Sequence, residues 1–272
     1  MGLTTNKYRS SLSKKASFLL SALAREDKNI FKIKEAEKIL NENPKKIMSY
    51  LIKKKWVLQF KKGLYAIIPL DIGVKGSEDF IVHDFVIASY LVKPYYIGFW
   101  PALNYHGLSD QIPKSVLIAI KKAKKALVIL NTEFIFVQIK EDKFFGIEKI
   151  EIENRKINIS NINKTVVDCL DHPEHSGGIE ELARAIYFNH NELNFKRIKE
   201  YALKMNNMTI FKRLGYILEK TNLLKEHKNI FNDIKLTKGY SKLDKISIKK
   251  NKYNETWKLL INVEINPDRW MY

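Results

Sequence analysis

Apolar positions recur with helical period through most of the first 55 residues. Leu12, Ala16, Leu19, Leu20 and Leu23 fall on one helix face, with Ser11 or Ser13 as N-cap. Ile33, Ala36, Ile39 and Leu40 predict a second, short helix over Lys32 to Leu40. Asn43-Pro44 then sets a capping side chain before proline at a first helical position, and a third helix runs on to about Lys55. Ile47, Met48, Leu51 and Ile52 cover about 140° of its circumference. Lys46, Ser49, Tyr50 and Lys53 lie opposite, flanked by Lys45 and Lys54. The period then shortens. Trp56 to Phe60 and Leu64 to Ile68 surround Lys61-Lys62-Gly63, which predicts a β-hairpin closed by Pro69.

Beyond a glycine-containing stretch, a helix is predicted over Phe80 to Leu91, ending at Lys93-Pro94. The aromatic run from Tyr95 to Trp100 predicts core packing, and His106 before Gly107 stands where a helix would stop, beside its last carbonyls. Strands are predicted at Ser115–Ile120, Ala126–Leu130, Glu133–Ile139, Gly146–Ile152 and Lys156–Ile159. Helical spacing returns with Val166, Val167 and Leu170, capped by Ser160 or Asn163. It continues in a helix started by Gly177-Gly178, then around Phe195 to Met205 and Ile210 to Leu218. The chain is polar and Lys-rich from Lys225 to about Asn254, with 235–252 poorly patterned, and Trp257 to Ile265 reads as a last strand.

The fold class is therefore α+β. Three helices and a hairpin within about 55 residues make the winged helix-turn-helix arrangement, whose third helix enters the major groove while the hairpin reaches the backbone. We expect a DNA-binding domain over 1–70, a linker over 71–79, and a larger α+β domain over 80–272. The larger domain divides into a β-rich part, 80–160, and a helical bundle, 161–272.

Charge sharpens this picture. The 272 residues carry a formal net charge of +18, which calls for an anionic partner, nucleic acid before a membrane surface. Residues 1–76 hold 17 Lys+Arg against 6 Asp+Glu, whereas 77–229 hold 22 against 19. An AT-biased genome would enrich lysine evenly without removing acids from one segment. Lys45, Lys46, Ser49, Tyr50, Lys53, Lys61 and Lys62 are the candidate DNA contacts: lysines to phosphate, Ser49 and Tyr50 to phosphate or base edges. No arginine, the usual reader of guanine, lies in the third helix or hairpin, so specificity leans on DNA shape or on few base contacts. Lys121 to Lys125 is either a solvated turn or a second backbone contact.

No apolar stretch is long enough to span a membrane, the first residues lack a secretory pattern, and one cysteine, Cys169, makes no disulfide framework. The expected compartment is the cytoplasm. Catalytic chemistry finds little support. Cys169-x-x-His172-x-x-His175, with Asp168 and Asp171, has metal-like spacing, but Pro173 breaks the helix between the histidines and no second ligand pair is near. Asp142, Glu151 or Glu153, and Lys156 could be drawn as a nuclease-like set, though such residues are common on Lys-rich β edges. There is no G-x-x-x-x-G-K-[ST] or G-x-G-x-x-G motif. We expect no enzyme, cofactor or metal.

Lys62-Gly-Leu-Tyr65, Tyr96-Ile-Gly-Phe-Trp-Pro-Ala-Leu-Asn-Tyr-His-Gly-Leu108, and Lys164-Thr-Val-Val-Asp-Cys-Leu-Asp-His-Pro173 with Gly177-Gly-Ile-Glu-Glu181 follow one another along the chain. Together they resemble the AbiEi antitoxin family of type IV toxin–antitoxin systems, over about residues 10–265. The resemblance implies a winged helix that binds inverted repeats upstream of its own operon and represses it, with two copies per operator. It also implies a C-terminal domain that counters a nucleotidyltransferase-like toxin without a stable complex. Three alternatives remain open: a nuclease-like enzyme acting on nucleic acid, a solitary transcriptional regulator, and a winged helix that contacts protein.

Overall fold

The structure, a computed structural model, describes residues 11–70, 80–248 and 252–270. It is a mixed α+β protein. Two compact units divide it: Met1–Val82 with Ile129–Asn131, and His83–Val128 with Thr132–Tyr272. The expected linker, 71–79, lies outside the described residues.

The first unit opens with α1 (Lys14–Arg25), where the Ser13 hydroxyl accepts from the Ala16 N–H and Ala16, Leu19, Leu20 and Leu23 are buried. Then come β1 (Ile30–Lys32), α2 (Ile33–Leu40), α3 (Lys45–Lys53), β2 (Val57–Lys61) and β3 (Leu64–Ile67). β1 is a strand the sequence pattern does not predict. It pairs antiparallel with β3, giving a three-stranded sheet in the order β1-β3-β2. The helices bury their apolar faces in one core with Phe31, Val57 and Tyr65. Each fully buried aliphatic or aromatic side chain there contributes about 1.5–3 kcal/mol.

The second unit starts with α4 (Asp84–Leu91), four residues later than predicted. His83 caps it through Nδ1, which accepts from the Phe85 N–H at 3.1 Å. The aromatic run splits into β4 (Tyr95–Ile97) and α5 (Phe99–Tyr105), and Tyr96 and Phe99 are fully buried. β5 (Ser115–Ile120), β6 (Leu127–Ile129), β7 (Thr132–Gln138), β8 (Ile147–Ile152) and β9 (Arg155–Ser160) join β4 in a six-stranded sheet ordered β6-β7-β5-β4-β9-β8. β5–β7 and β4–β9 are parallel, while β4–β5 and β8–β9 are antiparallel. His106 caps α5 through its backbone N–H, which donates to the Ala102 carbonyl at 3.0 Å, while its ring reaches another element. Its Nε2 lies 2.7 Å from the Ser160 carbonyl, tying α5 to β9.

α6 (Ile162–Asp171) follows β9 directly, and its cap is Asn161, not Ser160 or Asn163: the Asn161 Oδ1 accepts from the Lys164 N–H at 3.0 Å. α7 (Ile179–Asn189), α8 (Phe195–Lys204) and α9 (Met208–Lys220) pack with α6 over the sheet into one continuous core. The Lys-rich tail has more order than its pattern suggests. α10 (Leu224–His227) is followed by β10 (Ser241–Lys242), β11 (Lys252–Asn254) and β12 (Leu259–Ile261), a second three-stranded sheet ordered β10-β12-β11. The predicted last strand, Trp257 to Ile265, shrinks to β12. Among the described residues, no helix is long and apolar enough to cross a membrane.

Candidate nucleic-acid interface

α3 is positioned by its caps and its apolar face. The Asn43 Oδ1 accepts from the Lys45 N–H at 3.1 Å, and the Pro44 carbonyl takes the Met48 N–H at 2.8 Å. Met48 and Leu51 are buried and hold the helix to the core. The other face is fixed by geometry. At 3.6 residues per turn, Lys45, Ser49, Lys53 and Lys46 share an arc of about 100°, and all four are exposed. Among the described residues none of these ammoniums forms an ion pair, nor do those of Lys61 and Lys62. Elsewhere in the unit, Lys15 pairs with Glu42 and Lys28 with Glu26 and Glu35. Three lysines on a short helix face, with no carboxylate paired to them among the described residues, form a local positive field that solvent screens.

Tyr50 belongs to the candidate set but is engaged inside the unit. It is half-buried against the core, and its hydroxyl donates to the Ser11 carbonyl at 2.6 Å. The tie fixes the segment before α1 to α3.

The turn between β2 and β3 presents Lys61 and Lys62. Its form depends on Gly63, whose φ of +84° lies in the left-handed region that a side chain strains. The Gly63 carbonyl accepts from the Ile33 N–H at 3.0 Å, so the turn is anchored to the start of α2. A register shift between Gln59 and Lys61 bends β2 just before the tip. Lys62 is exposed and Lys61 half-buried.

Some of the other sequence candidates are engaged within the fold, while Lys122, Lys125 and Asp142 are exposed. In the Lys121–Lys125 cluster, Lys121 pairs with Glu141, and the Lys124 Nζ donates to the Leu91 carbonyl at 2.7 Å and lies over the Phe136 ring. Glu151 and Lys156 are cross-strand partners on the β8–β9 hairpin, and a Glu153 oxygen accepts from the His83 N–H at 3.0 Å. Cys169 is fully buried, and burial pushes its thiol well above the usual range, which removes it as a nucleophile.

Lys164 and Asp168, one helical turn apart on α6, belong to a buried network that sequence reading missed. Lys164 ion-pairs with Asp168 and donates to the Tyr96 hydroxyl at 3.2 Å, and that hydroxyl donates to the Asp168 Oδ2 at 2.9 Å. Burial raises the Asp168 carboxyl above its ordinary range, with Lys164 opposing the shift, and burial raises Tyr96 well above its own. An i,i+4 Lys–Asp pair flanking the apolar Val166-Val167 was the available signal.

In its fold the chain is similar to a crystal structure of the RV2827C protein from Mycobacterium tuberculosis, with a TM-score of 0.67 over 93% of this chain and 94% of that one, at 13% identity. No protein-family model matches the chain, and no curated protein matches its sequence. The likeness at that identity is one of fold, and the α+β arrangement extends along nearly the whole chain.

Proposed function

We propose that residues 1–70 form a winged helix-turn-helix domain that binds double-stranded DNA, and that the protein is a transcriptional regulator of its own operon. The observation that carries this reading is the exposed face of α3, where Lys45, Lys46 and Lys53 stand with Ser49 and none forms an ion pair among the described residues. On this reading α3 lies in the major groove and its lysines neutralise phosphates, while Lys61 and Lys62 at the β2–β3 turn meet the flanking backbone. Tyr50 steadies the helix more than it reads bases, since its hydroxyl is already bonded. Two copies occupy an inverted-repeat operator.

The resemblance to AbiEi proteins extends the proposal. The second unit is then the antitoxin part, acting in the cytoplasm against a nucleotidyltransferase-like toxin encoded next door. No catalytic step is assigned to it. An adjacent nucleotidyltransferase gene separates an antitoxin from a solitary regulator.

Fluorescence anisotropy tests the DNA reading. The labelled duplex is the sequence upstream of the gene, compared with its scrambled counterpart at about 50 and about 200 mM salt. We expect selective binding that weakens steeply with salt. Equal, weak binding to both duplexes would overturn the regulator.

A further inference from the structure

A second chemistry sits in the other unit, at the end of α6. The helix stops at Asp171, and Pro173–His175 forms a single 3-10 turn in which the His175 N–H donates to the His172 carbonyl at 2.9 Å. This tight turn brings His172 and His175 side by side, with ring centroids 5.9 Å apart and planes 27° from parallel. The helix break at Pro173, which argues against a metal in the sequence, is what unites the two imidazoles. Glu174 joins them: its Oε1 is 3.1 Å from the His172 Nδ1. One donor atom from each of His172, Glu174 and His175 lies within 4.8 Å of the other two. Cys169, the thiol in the sequence spacing, is not in the group.

We propose that His172, Glu174 and His175 bind one divalent transition-metal ion, with zinc the best match. Two imidazoles and one carboxylate are a borderline donor set, suited to zinc and too nitrogen-rich for magnesium or calcium. Zinc bonds of about 2.0–2.2 Å set neighbouring donors about 3.4 Å apart, so side-chain rotation closes the site. The surroundings support the assignment. The Glu174 Oε2 is buried and receives no hydrogen bond among the described residues, an orphan acceptor that a cation would satisfy. The Asp171 Oδ2 is 3.5 Å from the His172 Nε2, and Asp171 is itself held by Lys143 and by the Asn207 amide, each at 2.6 Å. A carboxylate behind a ligating histidine fixes its tautomer and raises its basicity. All three ligands are half-buried, so an ion can enter from solvent. The Lys245 Nζ, 2.9 Å from the Glu174 Oε1, is a resident positive charge that a metal must compete with.

The test uses the full chain, stripped with chelator and titrated with zinc against a chromophoric competitor. We expect one zinc per chain and a rise in Tm. His175→Gln and Glu174→Gln should each weaken binding by at least about a hundredfold, Lys245→Met should tighten it, and His227→Gln should leave it unchanged. The cobalt form of the wild-type chain gives an independent reading that needs no variant: visible d–d bands without a thiolate charge-transfer band. Failure of the wild-type chain to take up zinc, uptake unaffected by His175→Gln and Glu174→Gln, or a thiolate band in the cobalt form would each overturn the site.

Discussion

In the first unit Lys45, Lys46, Lys53 and Lys62 stand in solvent, and none forms an ion pair among the described residues. In the second, Lys164 and Lys212 are at most 1% exposed and serve as internal braces. Lys164 is enclosed with Asp168 and Tyr96, and Lys212 donates to the Gly239 carbonyl. Arg213 next to it is also buried, and its guanidinium donates to the carbonyls of Leu243, Leu170, Asp171 and Lys242. These bonds hold α6 and the C-terminal segment to α9. A net charge of +18 is therefore no measure of the charge a partner can meet. The difference lies in solvation. An exposed ammonium keeps its water until a phosphate arrives, whereas a buried one has lost its water and must be fully bonded within the fold.

The largest effect that could break this comparison is at Lys164. Replacing it with alanine leaves the Asp168 carboxylate buried without its counter-charge, at a cost of about 3–5 kcal/mol in urea unfolding. The paired change Lys164→Met with Asp168→Leu removes both charges and should recover most of that loss. If the single and paired variants are equally destabilised, the cost is one of shape and not of charge.

A smaller effect sharpens the role of the C-terminal segment. Gly215 lies within α9 because the Trp257 ring packs where a Cβ would stand, 2.0 Å from its Cζ3. Trp257 cannot easily withdraw, since its indole N–H donates to the Glu219 carboxylate at 2.6 Å. Gly215→Ala should therefore destabilise by about 1–3 kcal/mol through overpacking. An ordinary helical glycine would instead gain up to about 1 kcal/mol from the same change. Thermal unfolding of this variant reads the sign directly.

The same contrast explains what was legible in the chain. α1 and α3 announce themselves by apolar period and by caps, since each has one buried and one wet face. β5, β7, β8 and β9 are found within about two residues for a similar reason: runs of apolar residues end at turns. β4 is hidden because Tyr95, Tyr96 and Ile97 are all buried, so a central strand shows no alternation. β1 and β10 are three and two residues long, too short for any period. The lysine face of α3 follows from the helical period alone. The Tyr50 tie to Ser11 joins positions 39 residues apart and cannot be read locally. The His172–Glu174–His175 group was half visible. Its histidine spacing stands in the sequence, but the turn after Pro173 selects Glu174 as the third donor in place of Cys169.

The smallest expected change in stability belongs to the first unit's lysines, and there the comparison meets function. Lys46 and Lys53 touch no partner that folding needs, so Lys46→Ala and Lys53→Ala should each shift unfolding by no more than about 0.5 kcal/mol. Their effect should appear only with DNA. Each phosphate contact releases condensed counterion, so each substitution should lower the slope of log K against log salt by about 0.9. The loss should be similar on operator and scrambled duplex, because phosphates carry no sequence. Ser49→Ala should differ: the slope stays, and any loss falls on the operator alone. A slope unchanged by Lys46→Ala and Lys53→Ala together, in a chain of unchanged stability, would remove α3 from the DNA interface. The excess charge of the first unit would then be left without the partner proposed for it.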